Sequence, residues 1–382
     1  MKRYYQNTFN KLIIKRIKPN RFSKPVRFKL TIKLLGLMMM IVTMLSCNKG
    51  NDFGEQSTDA SNYIPAKGVF IISEGNFTWG NGIISFYNFN THAIANDIFY
   101  AVNKRPLGDV PVSMQQMNEL IYIVVNNSGK IEVVSPIDFA SVKTITGMMS
   151  PRFIQQINAN KAYVSDLESP VINILNLQTN TITGQINTIK ATDRMLLYNN
   201  TVFVCNWSQY YVHQNNNTVQ VINATTDKLT DSITVGKEPN SMVMDKNNKL
   251  WVLCSGGYNN EEIPSLVCIN PNTLSVEKTL LFASKYLSPT SLDINATKDT
   301  LYFISNDIYK MSINETAIPS TPFIKKGTRL FYSLAVSPST NELFISDAID
   351  YTQNGFVFRF DANGNVLDSV RAGITPSWFS FN

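Results

Sequence analysis

Seven times along this chain an aromatic side chain sits inside a short apolar run: Phe70, Tyr122, Tyr163, Phe203, Trp251, Tyr302 and Phe344. The successive spacings are 52, 41, 40, 48, 51 and 42 residues. The surrounding unit is clearest over residues 238–282. There apolar runs at 241–244, 250–254, 266–269 and 276–281 alternate with turn clusters at 245–248 and 270–273. That order predicts four consecutive antiparallel strands. A four-stranded unit recurring at this period defines a β-propeller, because so small a sheet covers its two faces only by packing on its neighbours. The chain is therefore expected to form an all-β, seven-bladed ring over residues 68–382.

The first copy offers only three strands, at 69–73, 83–87 and 94–99, where the other copies are expected to have four. Its missing innermost strand is found at the far end. Thr375-Pro376-Ser377-Trp378-Phe379-Ser380-Phe381 aligns with the first strands of other copies, such as Pro111-Val112-Ser113-Met114, Pro239-Asn240-Ser241-Met242 and Pro289-Thr290-Ser291-Leu292. The last strand is thus predicted to close the first blade, which removes two open sheet edges. The remaining copies run over 110–146, 151–188, 193–235, 238–282, 289–325 and 330–372.

A formal charge of +6 invites a nucleic-acid reading, but the charge is not where a folded domain would use it. Residues 1–33 hold eleven of the 34 Lys and Arg and no acid, so the rest of the chain, with 23 basic against 28 acidic residues, is near −5. No nucleic-acid footprint remains. The basic stretch leads into an apolar run at 34–45, too short for a membrane span and of the length of a secretory h-region. Leu45-Ser46-Cys47 resembles the end of a bacterial lipobox, which implies cleavage after residue 46 and lipidation of Cys47. Residues 47–67 then read as a lipidated cysteine and polar tether. Residues 1–46 read as the signal peptide. The expected place is the outer membrane, reached through a lipid anchor only and facing the cell exterior.

Connections between second and third strands, and those from blade to blade, share one rim of the disc. Several are longer than a hairpin needs: 74–82 (EGNFTWGNG), 206–217 (NWSQYYVHQNNN), 255–264 (SGGYNNEEIP) and 347–355 (DAIDYTQNG). The opposite rim has short turns rich in Asn, Asp, Pro and Gly. Long loops on a compact scaffold are usually functional. Asn, Gly, Tyr and Trp together supply flat apolar area with adaptable hydrogen bonding. The candidates for ligand contact are Asn76, Phe77, Trp79, Asn126, Asn127, Trp207, Tyr210, Tyr258, Asn306, Asp307, Asp347 and Tyr351.

Catalytic constellations are scarce. The two histidines, His92 and His213, fall in different copies without a partner motif, so no enzyme activity, metal or resident cofactor is expected. Glu74, Asp166, Asp307, Asp347 and Asp350 would have to converge to bind calcium, and none lies in a calcium-loop pattern. Cys254 and Cys268 stand on neighbouring strands, so both a disulfide and buried free thiols are open, with Cys205 the third cysteine of the ring.

Tyr163-Val164-Ser165-Asp166 and Phe203-Val204-Cys205-Asn206 resemble the YVTN-type propeller repeat. GVFIISEGNF (68–77), RPLGDV (105–110), MDKNNKLW (244–251), DTLYFISNDIYKM (299–311) and SDAIDYTQNG (346–355) resemble the BtuG-type surface lipoproteins of Bacteroidetes. That resemblance implies a seven-bladed propeller that captures cobalamin, or another corrinoid, as transported ligand and passes it to a TonB-dependent outer-membrane transporter. The alternatives are a surface propeller for a glycan or protein partner, and a lactonase-like or quinoprotein-like enzyme on the same fold.

Overall fold

The computed structural model describes residues 66–207 and 216–382. The signal segment, Cys47, the tether up to residue 65, Tyr210 and His213 lie outside the described residues. In the first blade, β1 (Gly68–Ser73), β2 (Ile83–Asn88) and β3 (Ile94–Ala95) are followed by a short helix, α1 (Ile98–Asn103). Blade two holds β4 (Pro111–Met117), β5 (Leu120–Val125), β6 (Lys130–Val134) and β7 (Ser141–Ile145). Blade three holds β8 (Pro151–Asn158), β9 (Lys161–Asp166), β10 (Val171–Asn176) and β11 (Thr181–Asn187). Blade four has β12 (Met195–Tyr198), β13 (Thr201–Cys205), β14 (Thr218–Asn223) and β15 (Lys228–Thr234). Blade five has β16 (Pro239–Met244), β17 (Leu250–Cys254), β18 (Ser265–Asn270) and β19 (Ser275–Leu281). Blade six has β20 (Thr290–Ile294), β21 (Thr300–Ser305) and β22 (Asp307–Ser312). Blade seven has β23 (Phe331–Val336), β24 (Leu343–Asp347), β25 (Asn354–Phe360) and β26 (Val366–Ile374), and the chain ends in β27 (Pro376–Phe381).

Every strand pairing is antiparallel, and β27 pairs with β1 to give the first sheet the order β27-β1-β2-β3. The innermost strands β27, β4, β8, β12, β16, β20 and β23 touch one another in that order around the axis and return to β27. The ring is closed by the two ends of the chain, as the repeat alignment predicts.

Burial explains the sequence pattern strand by strand. Each second strand is packed between two neighbouring blades, so β5, β9, β13, β17, β21 and β24 are buried on both faces and read as continuous apolar runs. Outermost strands such as β11, β15 and β19 alternate exposed and half-buried residues and are rich in Thr, Lys and Ser. The core is therefore a set of seams. One cluster joins Val69, Ile71 and Phe379 of blade one to Phe344 and Val357 of blade seven; another joins Phe303 and Met311 of blade six to Trp251 and Leu266 of blade five. The seven marker aromatics are all at most 2% exposed. Tyr122 Oη donates to Asn180 Oδ1 of blade three (2.6 Å), and Tyr163 Oη donates to Asp227 of blade four, so two markers also hydrogen-bond across their seams.

Two expectations need correction, and one alternative that the sequence left open is decided. The run 94–99 is not one strand: Asp97 accepts a hydrogen bond from Tyr100 N as an N-cap and starts α1, whose Ile98 and Phe99 are buried. Blade six lacks a fourth strand. Pro319 and Pro322 occupy the returning segment and cannot donate to a ladder, leaving one isolated bridge between Ile308 and Ile324. Cys254 and Cys268 form no disulfide. Cys254 is opposite Ser265, Cys268 is opposite Trp251, and the two thiols point into different seams.

Candidate functional site

The long-loop rim is a set of loops fastened to one another across blade boundaries. In loop 74–82, Gly75 has φ +74° and a Cβ there would collide with Asn81, so glycine is required for the turn. Asn76 exchanges hydrogen bonds with Asn81 and donates from Nδ2 to the carbonyl of Tyr351 in blade seven (3.0 Å). Thr78 N donates to Asp109 Oδ2 in the connection to blade two (2.9 Å). Trp79, at the loop tip, is 77% exposed.

The other candidates divide by what their polar groups already do. Asn126 Nδ2 donates to Ser150 Oγ and the Pro151 carbonyl, joining blades two and three, and Asn127 donates to Asp109. Asp307 accepts from Lys326 N (2.8 Å), and Asp347 accepts from Leu330 N and Ile349 N (2.9 Å each). These four side chains shape the rim. Asn306, at a tight turn with φ +61°, is exposed, while Phe77 and Tyr258 are half-buried in their loops. Trp207 faces the Arg152 guanidinium (5.3 Å), and Tyr351 packs edge-on against Tyr332 (5.6 Å). The structure thus brings Asn76 and Tyr351 together and directs Trp207 and Tyr351 toward residues of the axis.

Those axial residues were missed by sequence reasoning. The second position of the aligned innermost segments is Val112, Arg152, Arg194, Asn240, Thr290, Tyr332 and Ser377 in blades two to seven and one respectively. Arg152 Nε pairs with Asp193 Oδ2 (2.8 Å). The Arg194 guanidinium lies over the Phe153 ring and over the Trp378 ring, 4.1 Å from each centroid. Phe153 belongs to blade three and Trp378 to blade one, so Arg194 of blade four reaches across the axis. Glu74, 3% exposed at the end of β1, accepts from Tyr332 Oη (3.2 Å). The signal was available: this position varies in chemistry from copy to copy, whereas the preceding position is Pro in five of the seven.

Burial sets the electrostatics of this cluster. It pushes Glu74 up to about 7, against the opposing pull of Arg152, Ser377 and Tyr332. Burial also raises Asp293 of β20 to about 6, opposed by the N–H groups of Val336 and Ile294 and by Arg194. It lowers Arg194 to about 10, so the guanidinium stays charged at neutral pH. Among the described residues no group of three or more His, Cys, Asp or Glu is placed to hold a metal ion. Of the five carboxylates weighed for calcium, Asp166 and Asp350 likewise accept backbone N–H groups, from Ser150 and Thr352 among others.

Large apolar side chains exposed among the described residues favour this rim. Trp79, Met149, Ile189, Ile263 and Tyr286 stand on it, while Tyr100 lies on α1, whose Asn103 donates to the Phe139 carbonyl in the short-turn connection of blade two. Of the others, Ile137 lies on the short-turn rim, and Val142, Val276, Leu281, Val366 and Leu367 lie on outermost strands. Such an apolar, aromatic rim around a polar centre is suited to holding a ligand or partner.

Fold and site together define a closed seven-bladed propeller with one differentiated face. The profile of a family described as "Domain of unknown function (DUF5074)" matches residues 67–374, and the chain belongs to that family. No curated protein matches it. Among solved structures it is similar to a quinonprotein alcohol dehydrogenase-like protein from Bacteroides thetaiotaomicron, with 16% identity, a TM-score of 0.63, and coverage of 83% of this chain and 78% of that one. It is also similar to hydrazine synthase of Kuenenia stuttgartiensis (11% identity, TM-score 0.54, 70% and 88% covered). A computationally designed protein, Ika8, matches with 11% identity, a TM-score of 0.53, and 80% and 88% covered. At these identities the likeness is one of fold.

Proposed function

We propose that this protein is a non-catalytic capture protein, which binds cobalamin or a related corrinoid on the long-loop face and hands it to a TonB-dependent outer-membrane transporter. The observation that carries the reading is the difference between the two rims: loops latched across blade boundaries, with exposed Trp79 and half-buried Trp207 and Tyr351, surround the polar axial cluster on one side only. A corrinoid is broad, rigid and edged with amides. Flat aromatics cover its apolar area, Asn side chains pair with its amides, and little ligand entropy is lost on binding. The lipobox resemblance at Cys47 supports a tethered position at the membrane, where a captured ligand is close to a transporter.

Calorimetric and thermal-shift titration of the purified protein with cyanocobalamin tests this. Ligand at 100 times its dissociation constant adds about 2.7 kcal/mol of stability. Replacing Trp79, Trp207 and Tyr351 together by Ala is expected to leave the circular dichroism spectrum unchanged and to weaken binding. One-to-one binding in the wild type, lost in the triple variant, is the expected result; no thermal shift in the wild type removes the corrinoid from the reading, and unchanged affinity in the variant removes the face assignment.

A further inference from the structure

The Arg194 guanidinium has no hydrogen bond or ion pair with any described residue; its contacts are the Phe153 and Trp378 rings. The rings hold the cation by its flat surface but provide no oxygen acceptor for its five N–H donors. Each carboxylate around it is engaged elsewhere. Asp193 is paired with Arg152 at 2.8 Å. The Asp293 oxygens accept from Ile294 N (2.8 Å) and Val336 N (2.7 Å). Glu74 accepts from Tyr332. A desolvated cation without an acceptor is costly to maintain and gains most from an anion. Arg194 is not fully buried: part of its surface is open to solvent.

We propose that Arg194 is the recognition residue of an axial subsite that takes a carboxylate or phosphate group of a ligand entering from the long-loop face. A planar guanidinium offers paired donors matched to two oxygens of either group, which a neutral amide satisfies less well. Phe153 and Trp378 fix the side chain from two blades, so its position depends on ring closure by β27. The subsite goes beyond the corrinoid reading and does not depend on it, because its occupant is defined by charge and oxygen geometry alone.

The test uses the purified full chain at constant ionic strength in chloride, acetate or phosphate. Phenylglyoxal, which modifies arginine, is applied, and modification of Arg194 and of exposed Arg371 is followed by peptide mass spectrometry. An anion present at ten times its dissociation constant slows modification by about tenfold. The expected result is protection of Arg194, but not Arg371, by acetate, phosphate or both; protection by one alone identifies which group the subsite takes. Equal rates in the three salts overturn the proposal, as does an Arg194 that fails to react in chloride and is thereby shown to be sealed from the face. In a second arm, wild type and Arg194→Met are compared by thermal unfolding in the same salts. Stabilisation by acetate or phosphate confined to the wild type supports the subsite, and equal stabilisation of both proteins overturns it. The corrinoid reading fails separately, in a titration that contains none of these anions.

Discussion

Closure of the ring at the seam between blades seven and one predicts that Phe379→Ala is among the more damaging single substitutions in the chain. Phe379 is 6% exposed, lies opposite Ile71 in the β27–β1 ladder, and packs against Phe344 of blade seven with ring centroids 6.1 Å apart. Truncating a buried Phe to Ala costs ~3–5 kcal/mol, the lost transfer energy plus the cavity left behind. The seam limits relaxation, since Val69, Ile71, Tyr87 and Val357 in the same cluster are held by other strands. A value near 4 kcal/mol is expected, a large part of the ~5–15 kcal/mol that stabilises most folded domains. The assay is guanidinium unfolding followed by far-UV circular dichroism, read as a shift in midpoint at unchanged slope. Val366→Ala serves as control: Val366 is 53% exposed on the outermost strand of blade seven, and its loss should stay within ~0.5 kcal/mol. A cost below about 1 kcal/mol for Phe379→Ala would mean that the last strand rests on the ring without closing it.

Other consequences can be read out independently. Glu74 has a folded value of about 7 against an ordinary 4.5, so the folded state binds more protons between those pH values and stability falls as pH rises through that window. Glu74→Gln should reduce this slope to the part that Asp293, raised to about 6, contributes, and exceed the wild type at pH 8 by up to ~3 kcal/mol, with little difference near pH 4; a wild type whose stability is flat from pH 5 to 8 would contradict it. Glu132 is fully buried and takes a bidentate ion pair from Arg105 as well as Lys130. Arg105→Ala should therefore cost up to ~3 kcal/mol in denaturant unfolding, and an unchanged midpoint would show that Lys130 alone suffices. Burial raises the thiols of Cys268 and Cys254 to about 11 and 12, and raises that of Cys205 as well. All three should stay unlabelled by a thiol reagent in the native protein and react fully after denaturation; rapid native labelling would place them outside the seams.

The blade repeat was legible because the propeller buries its second strands on both faces, turning each into an apolar run with one large aromatic. The same physics obscured the departures. Ile98 and Phe99 extend the apolar run of the first blade, and only Asp97 as an N-cap separates a helix from a longer strand. In blade six the prolines at 319 and 322 were the available warning that a fourth strand could not form. Loop lengths located the rim, since a loop's length is written in the sequence directly. The axial cluster was not located, because Glu74, Arg152, Arg194, Tyr332 and Trp378 come from four different blades and meet only once the ring has closed.

That convergence explains how a repeating scaffold can carry a site that is not repeated. The marker aromatics must fill equivalent seams, so their size varies little along the chain. The second position of the innermost segments faces no such demand: Val112, Arg152, Arg194, Asn240, Thr290, Tyr332 and Ser377 can differ without disturbing a seam. The rim adds a second degree of freedom, because loops such as 74–82 are pinned at their bases by hydrogen bonds to neighbouring blades, while the Trp79 side chain stands out in solvent. Pinning matters energetically. A loop ordered during folding loses little further entropy when it meets a ligand, so contact area on this face converts to affinity more fully than it would on loops ordered only by binding. The closed ring therefore does two jobs with one set of contacts: the seams that hold the blades also fix the spacing of the axial and rim residues that the proposed recognition uses.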